Sequence, residues 1–323
     1  MNNNRDTSDG RAADDAAVAV LAQTTGARTP NPGIYKDVKF SDYLAWRCMS
    51  QSQLKRGRES MAHYKAAIES SSAPSDSMRL GRLFHAGALE PLTVPMLYCV
   101  MPSFEFDEGN RTAAGSVPKN PKATKYYRDH VDLFVEMNRY KEVVTRDEYA
   151  RLLGVVEAIS RDATARKYMQ RGAESEISFA WLDQSTGVLC KGRADCLDIE
   201  RGLCVDLKKH DSGRNFSDAI YRYGYHIQAA WYLDGLTALT GRDEWEYCII
   251  AHTSEPPYFC QAAPLDTAAV QVGRREYRRL LKQIQESESS GIWPGPVGPD
   301  CWKLPEWVPS ASIVKHHGEE MEI

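Results

Sequence analysis

At 323 residues, 42% of them hydrophobic, the chain is long enough for one large domain with a sizeable core. Its formal net charge of −4 lacks the basic balance of most nucleic-acid binders, so any phosphate-binding charge must be local. No stretch approaches the roughly 20 apolar residues of a membrane span, and the eight cysteines, scattered without a CxxC pair, argue against a zinc site or disulfide framework.

Residues 1–33 begin MNNNRDTSDGRAADD, contain Pro30 and Pro32, and are polar and Ala/Asp/Thr-rich, with Ala16 to Leu21 long enough only for a turn of helix, which predicts a flexible leader without a secretory hydrophobic segment. Free thiols then suit a cytoplasmic protein. Globular patterning starts at Ser41. Ser50 or Ser52 is placed to N-cap a short helix through Gln53 and Leu54, and a second helix is predicted from Ser60 to Glu69. Ser77 to Leu89 reads as a helix with Leu80, Leu83, Phe84 and Ala88 in a buried stripe. One turn before His85, Gly81 leaves space beside the imidazole. On its own such a histidine is more often structural than a ligand. As a ligand it would favour Mn²⁺ tolerance beside Mg²⁺.

Ser103 to Tyr126, with Gly109, Gly115, Pro118 and Pro121, predicts a long loop, and Thr145 to Met169 predicts one amphipathic helix through Tyr149, Leu152, Leu153, Val156 and Ile159. Glu176 to Trp181 reads as a strand with Ile177, Phe179 and Trp181 inward. Glu176 itself suits either a further acid beside a metal or a surface position. Val188–Ile199 and Leu203–Lys208, separated by the Glu200-Arg201-Gly202 turn, read as a β-hairpin. Asp195 lies on the first strand. On the second, Asp206 and Lys208 point one way while Val205 and Leu207 point into the core. Two neighbouring carboxylates resist joint ionisation unless a cation lies between them, and Mg²⁺ takes carboxylate, phosphate and water oxygens. That pattern suits metal-assisted phosphodiester hydrolysis, although surface hairpins carry Asp and Lys often.

Tyr223 to Leu239 is predicted helical, with Tyr225, Gln228 and Tyr232 on one face and Ile227, Trp231 and Leu239 inward. Strands follow at Tyr247–His252 and Tyr258–Leu265, then a closing helix from Thr267 to Glu286 and an extended tail with WPGP and LPEW. Two basic runs, Lys119, Lys122, Lys125 and Arg128, and Arg274, Arg275, Arg278, Arg279 and Lys282, read as DNA contacts or as solvated helix faces.

The hairpin resembles the core of the PD-(D/E)xK nuclease superfamily, with Asp195 as first acid and Asp206-Leu207-Lys208 as the (D/E)xK element. Gly81-Arg82-Leu83-Phe84-His85 is similar to the GxxxH motif of its RecB-type and RecE-type branch, and Gln228-Ala229-Ala230-Trp231-Tyr232 to its QxxxY motif. GRADCLDIERGLCVDLKK followed by YRYGYHIQAAWY resembles the RecE-type exonuclease domain (exodeoxyribonuclease VIII) in particular. The resemblance implies an α/β fold with a restriction-endonuclease-like core, a mixed central sheet flanked by helices, over residues 34–310, with a flexible tail at 311–323.

It further implies a Mg²⁺-dependent exonuclease, with Mn²⁺ able to substitute, degrading linear duplex DNA from 5′ to 3′ to give single strands for recombination or repair. His85, Asp195, Asp206 and the Leu207 carbonyl would hold the metal. Asp195, Asp206, Lys208, Gln228 and Tyr232 would carry catalysis, and Ser52, Arg58, Arg111 and Tyr225 would touch DNA. Family members form rings around DNA, so a homo-oligomeric ring and a single-strand annealing partner follow as expectations. Cys301 stands alone where relatives with an iron–sulfur cluster carry a late cysteine group, so no cluster is expected. Another nuclease of the superfamily, endonucleolytic or 3′-acting, and a non-catalytic DNA-binding or assembly module remain as alternatives.

Overall fold

A computed structural model describes residues 29–70, 75–170, 172–210 and 215–298, and the backbone of 313–316 and 319–322. Most of the expected leader and the LPEW segment lie outside the described residues.

β1 (Gly33–Tyr35) and α1 (Phe40–Ala45) lead to β2 (Met49–Ser50), which runs straight into α2 (Gln51–Leu54). The start of α2 is a capping box: Gln53 N–H donates to Ser50 Oγ at 3.3 Å and Ser50 N–H to Gln53 Oε1 at 3.0 Å. The Ser60 and Ser75 hydroxyls accept the N–H of His63 and Met78 and so cap α3 (Met61–Glu69) and α4 (Asp76–Leu89). α5 (Val94–Leu97), β3 (Tyr98–Val100), α6 (Lys125–Met137) and β4 (Glu142–Val144) follow, with β3 and β4 forming a small parallel pair that no alternation in the sequence announced. The single helix expected over Thr145–Met169 is two, α7 (Arg146–Arg161) and α8 (Ala163–Tyr168). Asp162 leaves helical geometry (φ −70°, ψ 120°) and caps the second helix through Ala165 N–H at 2.7 Å.

β5 (Glu174–Leu182), β6 (Leu189–Asp198) and β7 (Leu203–Lys209) form a meander. α9 (Phe216–Arg222) and α10 (Tyr225–Thr240) then cross to β8 (Glu246–His252), and β9 (Cys260–Pro264) and α11 (Thr267–Ser290) complete the body. β10 (Ile313–His316) and β11 (Glu319–Glu322) pair with each other within the segment expected to be a flexible tail. The helix expected from Tyr223 starts at Tyr225, because Gly224 takes a left-handed conformation (φ 65°) that separates it from α9.

The main sheet runs β1-β5-β6-β7-β8-β9, with β2 beside β6. It is mixed and mostly antiparallel: β7 pairs β8 in parallel, which is why a helical crossover joins them. Helices cover both faces. α2, α3, α10 and α11 bury Leu54, Tyr64, Trp231 and Leu280 with Phe179, Trp181 and Cys204. α4, α7 and α8 bury Leu83, Phe84, Leu152 and Tyr168 with Val205, Leu207 and Ile250 on the other face. Each such Leu or Phe removed from water contributes about 1.5–3 kcal/mol.

β7 therefore has no solvated face. Val205 and Leu207 face one helical layer as the alternation predicts, but Asp206, expected on a polar face, is only 1% exposed beneath α10.

Candidate active site

The β5–β6 ladder keeps one register from Glu174↔Leu197 to Leu182↔Leu189, whereas β6 and β7 pair only over Cys196–Asp198 and Leu203–Val205. Beyond Cys196 the strands part, and the Asp195 side chain fills the gap: its Oδ2 accepts the Leu207 N–H at 2.7 Å. Opposite Asp195 on β5 stands Glu176, skipped by the ladder between Ser175↔Cys196 and Ile177↔Ala194 and held at φ 56°. A left-handed conformation costs a β-carbon residue about 1–2 kcal/mol, and such strain collects where a side chain must be aimed.

α4 delivers His85 to this pair, its Nδ1 3.6 Å from Asp195 Oδ1. A β-carbon at Gly81, one turn before His85 on α4, would meet nothing within 4 Å. One ligand atom each from His85, Glu176 and Asp195 lie within 4.8 Å of one another. Asp206 stands next to them with a hydrogen bond on one oxygen and an ion pair on the other. Gln228 Nε2 donates to Oδ1 at 2.6 Å, and Lys208 Nζ lies 2.5 Å from Oδ2. The Tyr225 ring covers Lys208 at 4.9 Å, with Lys55 Nζ 6.0 Å from the same ring and donating to Tyr223 O at 2.9 Å.

Electrostatics describe a site short of positive charge at its acid end. Burial pushes Asp195 up to about 7, with His85 opposing and Asp206 adding to the shift. Burial works against the Lys208 charge, but Asp206 and Asp195 outweigh it and hold the ammonium above its ordinary value. Lys55 moves the other way: burial, then the charge of Lys208, bring it down to about 7. Two carboxylates and an imidazole, one of the carboxylates held against ionisation by burial, fit a hard or borderline divalent cation such as Mg²⁺ or Mn²⁺.

The structure thus gathers His85, Asp195, Asp206, Leu207, Lys208 and Gln228 in one place, and the compact ligand cluster joins Glu176, the further acid considered from the sequence, to His85 and Asp195. Leu207 contributes its N–H to Asp195. Tyr232 is buried in the aromatic core, 5.3 Å from Phe179 and 6.5 Å from Tyr247, and it is Tyr225 of the same helix face that covers Lys208.

Ser52 is exposed, its Oγ 3.0 Å from the capping Ser50 Oγ. Arg58 is committed to the protein, with Nε on Glu276 Oε1 at 2.8 Å and Nη1 on the Tyr221 and Arg222 carbonyls. Arg111 is exposed and donates to Phe106 O on its own loop. Much of the basic run on α11 is also internally paired: Arg274 and Arg278 with Asp234, Arg279 with Gln283, Lys282 with Glu286. Lys119, Lys122, Lys125 and Arg128 are exposed. Sequence reasoning missed Arg193, which binds Glu176; the available signal was its place two residues before Asp195 on the same strand face.

No curated protein matches the chain. Among solved structures, it resembles a candidate exonuclease from Eubacterium rectale at 14% identity, covering 87% of this chain and 95% of that one with a TM-score of 0.52. The alkaline exonuclease of Laribacter hongkongensis aligns over 52% of this chain and 84% of its own at 14% identity, with a TM-score of 0.25. The first of these shares the fold. Residues 50–301, most of the chain and all of the site, match the family described as a PDDEXK-like domain of unknown function (DUF3799), and the protein belongs to that family.

Proposed function

We propose that the protein is a metal-dependent deoxyribonuclease, an exonuclease of the RecE-like kind that degrades linear duplex DNA from 5′ to 3′. The observation that carries this reading is the convergence of His85, Glu176 and Asp195 beside the Asp206–Lys208 pair. In a PDDEXK-like family, a set of acids with an adjacent lysine suits phosphodiester hydrolysis. The exonuclease description of the solved structure that shares its fold agrees with it.

His85, Glu176, Asp195 and Asp206, with the Leu207 carbonyl, would hold Mg²⁺, or Mn²⁺ in its place. The cation supplies charge neutralisation at the phosphate and a lowered pKa for the attacking water. Lys208, kept charged by Asp206, positions and polarises that water. Gln228 holds Asp206 so that the lysine has a fixed partner, and Tyr225 limits where the ammonium can go. Tyr232 supports this arrangement from the core. Ser52, Arg111 and exposed lysines such as Lys119 and Lys122 are the candidates for strand contacts, since the α11 run is largely paired within the chain.

The physiological reading is production of single strands for recombination or repair in the cytoplasm, handed to a single-strand annealing protein. A homo-oligomeric ring around DNA would concentrate local basic charge in its lumen despite a net-negative subunit. Linear duplex labelled at either the 5′ or the 3′ end, incubated with Mg²⁺ or with chelator, tests the activity and its direction. Mg²⁺-dependent early release of the 5′ label is expected. Early 3′ release overturns the polarity, cleavage of closed circles overturns the exonuclease assignment, and no cleavage overturns the enzyme. Sedimentation showing a monomer with and without DNA removes the ring.

A further inference from the structure

Arg193 and Asp195 project from the same face of β6, opposite Ser178 and Glu176 of β5. The residue paired with Arg193 is Ser178, yet the side chain runs on diagonally: Nε meets Glu176 Oε2 at 2.5 Å, while Nη1 donates to Ser178 Oγ and Val38 O, each at 2.8 Å. The rings of Phe40 and Tyr43 lie against the guanidinium, each 5.9 Å from it. With 13% of its side chain exposed, the arginine is held at several points by β5 and by the segment around α1.

Glu176 is the cluster acid that needs such a hold. Asp195 has one oxygen pinned by the Leu207 N–H and the other turned toward His85 Nδ1. Glu176 has a longer side chain, a left-handed backbone and, among the described residues, no backbone donor on its carboxylate, so Arg193 supplies what Leu207 supplies to Asp195. A planar fork suits this task, since it can engage a carboxylate while its remaining donors stay on fixed anchors.

We propose that Arg193 is a positioning residue for a divalent cation: by holding Glu176 Oε2 it presents the second carboxylate oxygen to the His85–Asp195 pair. The proposal rests on reading that cluster as a metal centre. A guanidinium that took both oxygens of a ligand carboxylate would compete with the cation. Its anchors on Ser178 and Val38 hold Arg193 at Oε2 and leave Oε1 to the cation, and the sign of the effect separates the two roles.

Mn²⁺ binding to the full-length, DNA-free protein, measured by titration calorimetry, tests this without any activity readout. Arg193→Gln is expected to weaken Mn²⁺ about tenfold or more, the scale found when a group orienting a metal ligand is removed. Arg193→Lys keeps the charge but lacks the fork, and is expected to show an intermediate loss. Melting temperatures of the metal-free variants report separately on the packing of Arg193. Unchanged or tighter Mn²⁺ binding by Arg193→Gln overturns the proposal. Should that variant fail to fold, Arg193→Lys and Ser178→Ala carry the test, and unchanged affinity in both overturns it. Wild type that binds no Mn²⁺ overturns the metal-centre reading together with this inference. Wild type that binds while the variants match it overturns the inference alone.

Discussion

Asp195 Oδ2 accepts the backbone N–H of Leu207 at 2.7 Å, at the point where β6 and β7 cease to pair. A carboxylate here replaces a ladder carbonyl, so the acid is buried without leaving a backbone donor unsatisfied. The consequence is a negative group whose charge is only partly compensated by the protein, and its pH behaviour follows.

Burial pushes Asp195 up to about 7, so the folded, metal-free protein prefers the protonated acid. The stability this group contributes is full below the ordinary carboxylate range and is lost as pH rises through about 7. Asp195→Asn, which cannot ionise, should melt above metal-free wild type at pH of about 8, by on the order of 2 kcal/mol, with the gap closing toward about pH 4. Calorimetry in chelator checks it. A constant gap across that range would refute the buried-charge account.

Lys208 faces Asp206 Oδ2 and carries the charge nearest the proposed reaction. Lys208→Ala should lower turnover by about 10²-fold or more while duplex binding changes little, because the ammonium serves the transition state more than the ground state. Single-turnover cleavage alongside a binding titration separates the two. Wild-type turnover in the variant removes Asp206-Leu207-Lys208 as the catalytic element.

His85 differs from the acids in bringing a donor atom without charge. His85→Ala should depress cleavage at low Mg²⁺ and recover in part at high Mg²⁺ or with Mn²⁺, whereas Asp195→Ala should resist rescue. If the histidine were only packing, the metal titration would stay in place and the melting temperature would fall.

Gln228 donates to a buried carboxylate oxygen. Gln228→Leu keeps the volume but leaves Asp206 Oδ1 without that donor, and should destabilise the fold by about 1–3 kcal/mol. Chemical denaturation at pH of about 8 measures the loss. A neutral result would mean that Lys208 alone compensates Asp206.

Gly273 of α11 packs directly on α10: a β-carbon there would overlap the His226 backbone carbonyl. Backbone on both sides leaves no side chain to swing aside, so Gly273→Ala must separate the two helices. A loss of about 3 kcal/mol or more is expected in denaturant titration, at the upper end for overpacking. A loss below about 1 kcal/mol would show that the helices part easily.

Much of this was legible in local sequence. Ser50 with Gln53 and Ser60 ahead of Met61 announce helix starts through hydrogen bonds three residues long, and Ile177, Phe179 and Trp181 announce a strand through simple alternation. The Glu200-Arg201-Gly202 turn sets Asp195 and Asp206 on adjacent strands, and helical spacing puts Tyr225 and Gln228 on one face of α10. Those periodicities are properties of the chain a few residues at a time. Where β6 leaves β7, how Glu176 turns toward Asp195, and which acid joins His85 depend on contacts between segments far apart in the chain, and only tertiary structure decides them. The same holds for α10, whose residues are buried nearly all round because α11 covers the side that a helix packed on a sheet alone would show to water. Asp206 is the clearest case. Alternation placed it opposite the core, which alone implies solvent, and a helix laid over that face made it a buried carboxylate that must be held by Gln228 and Lys208.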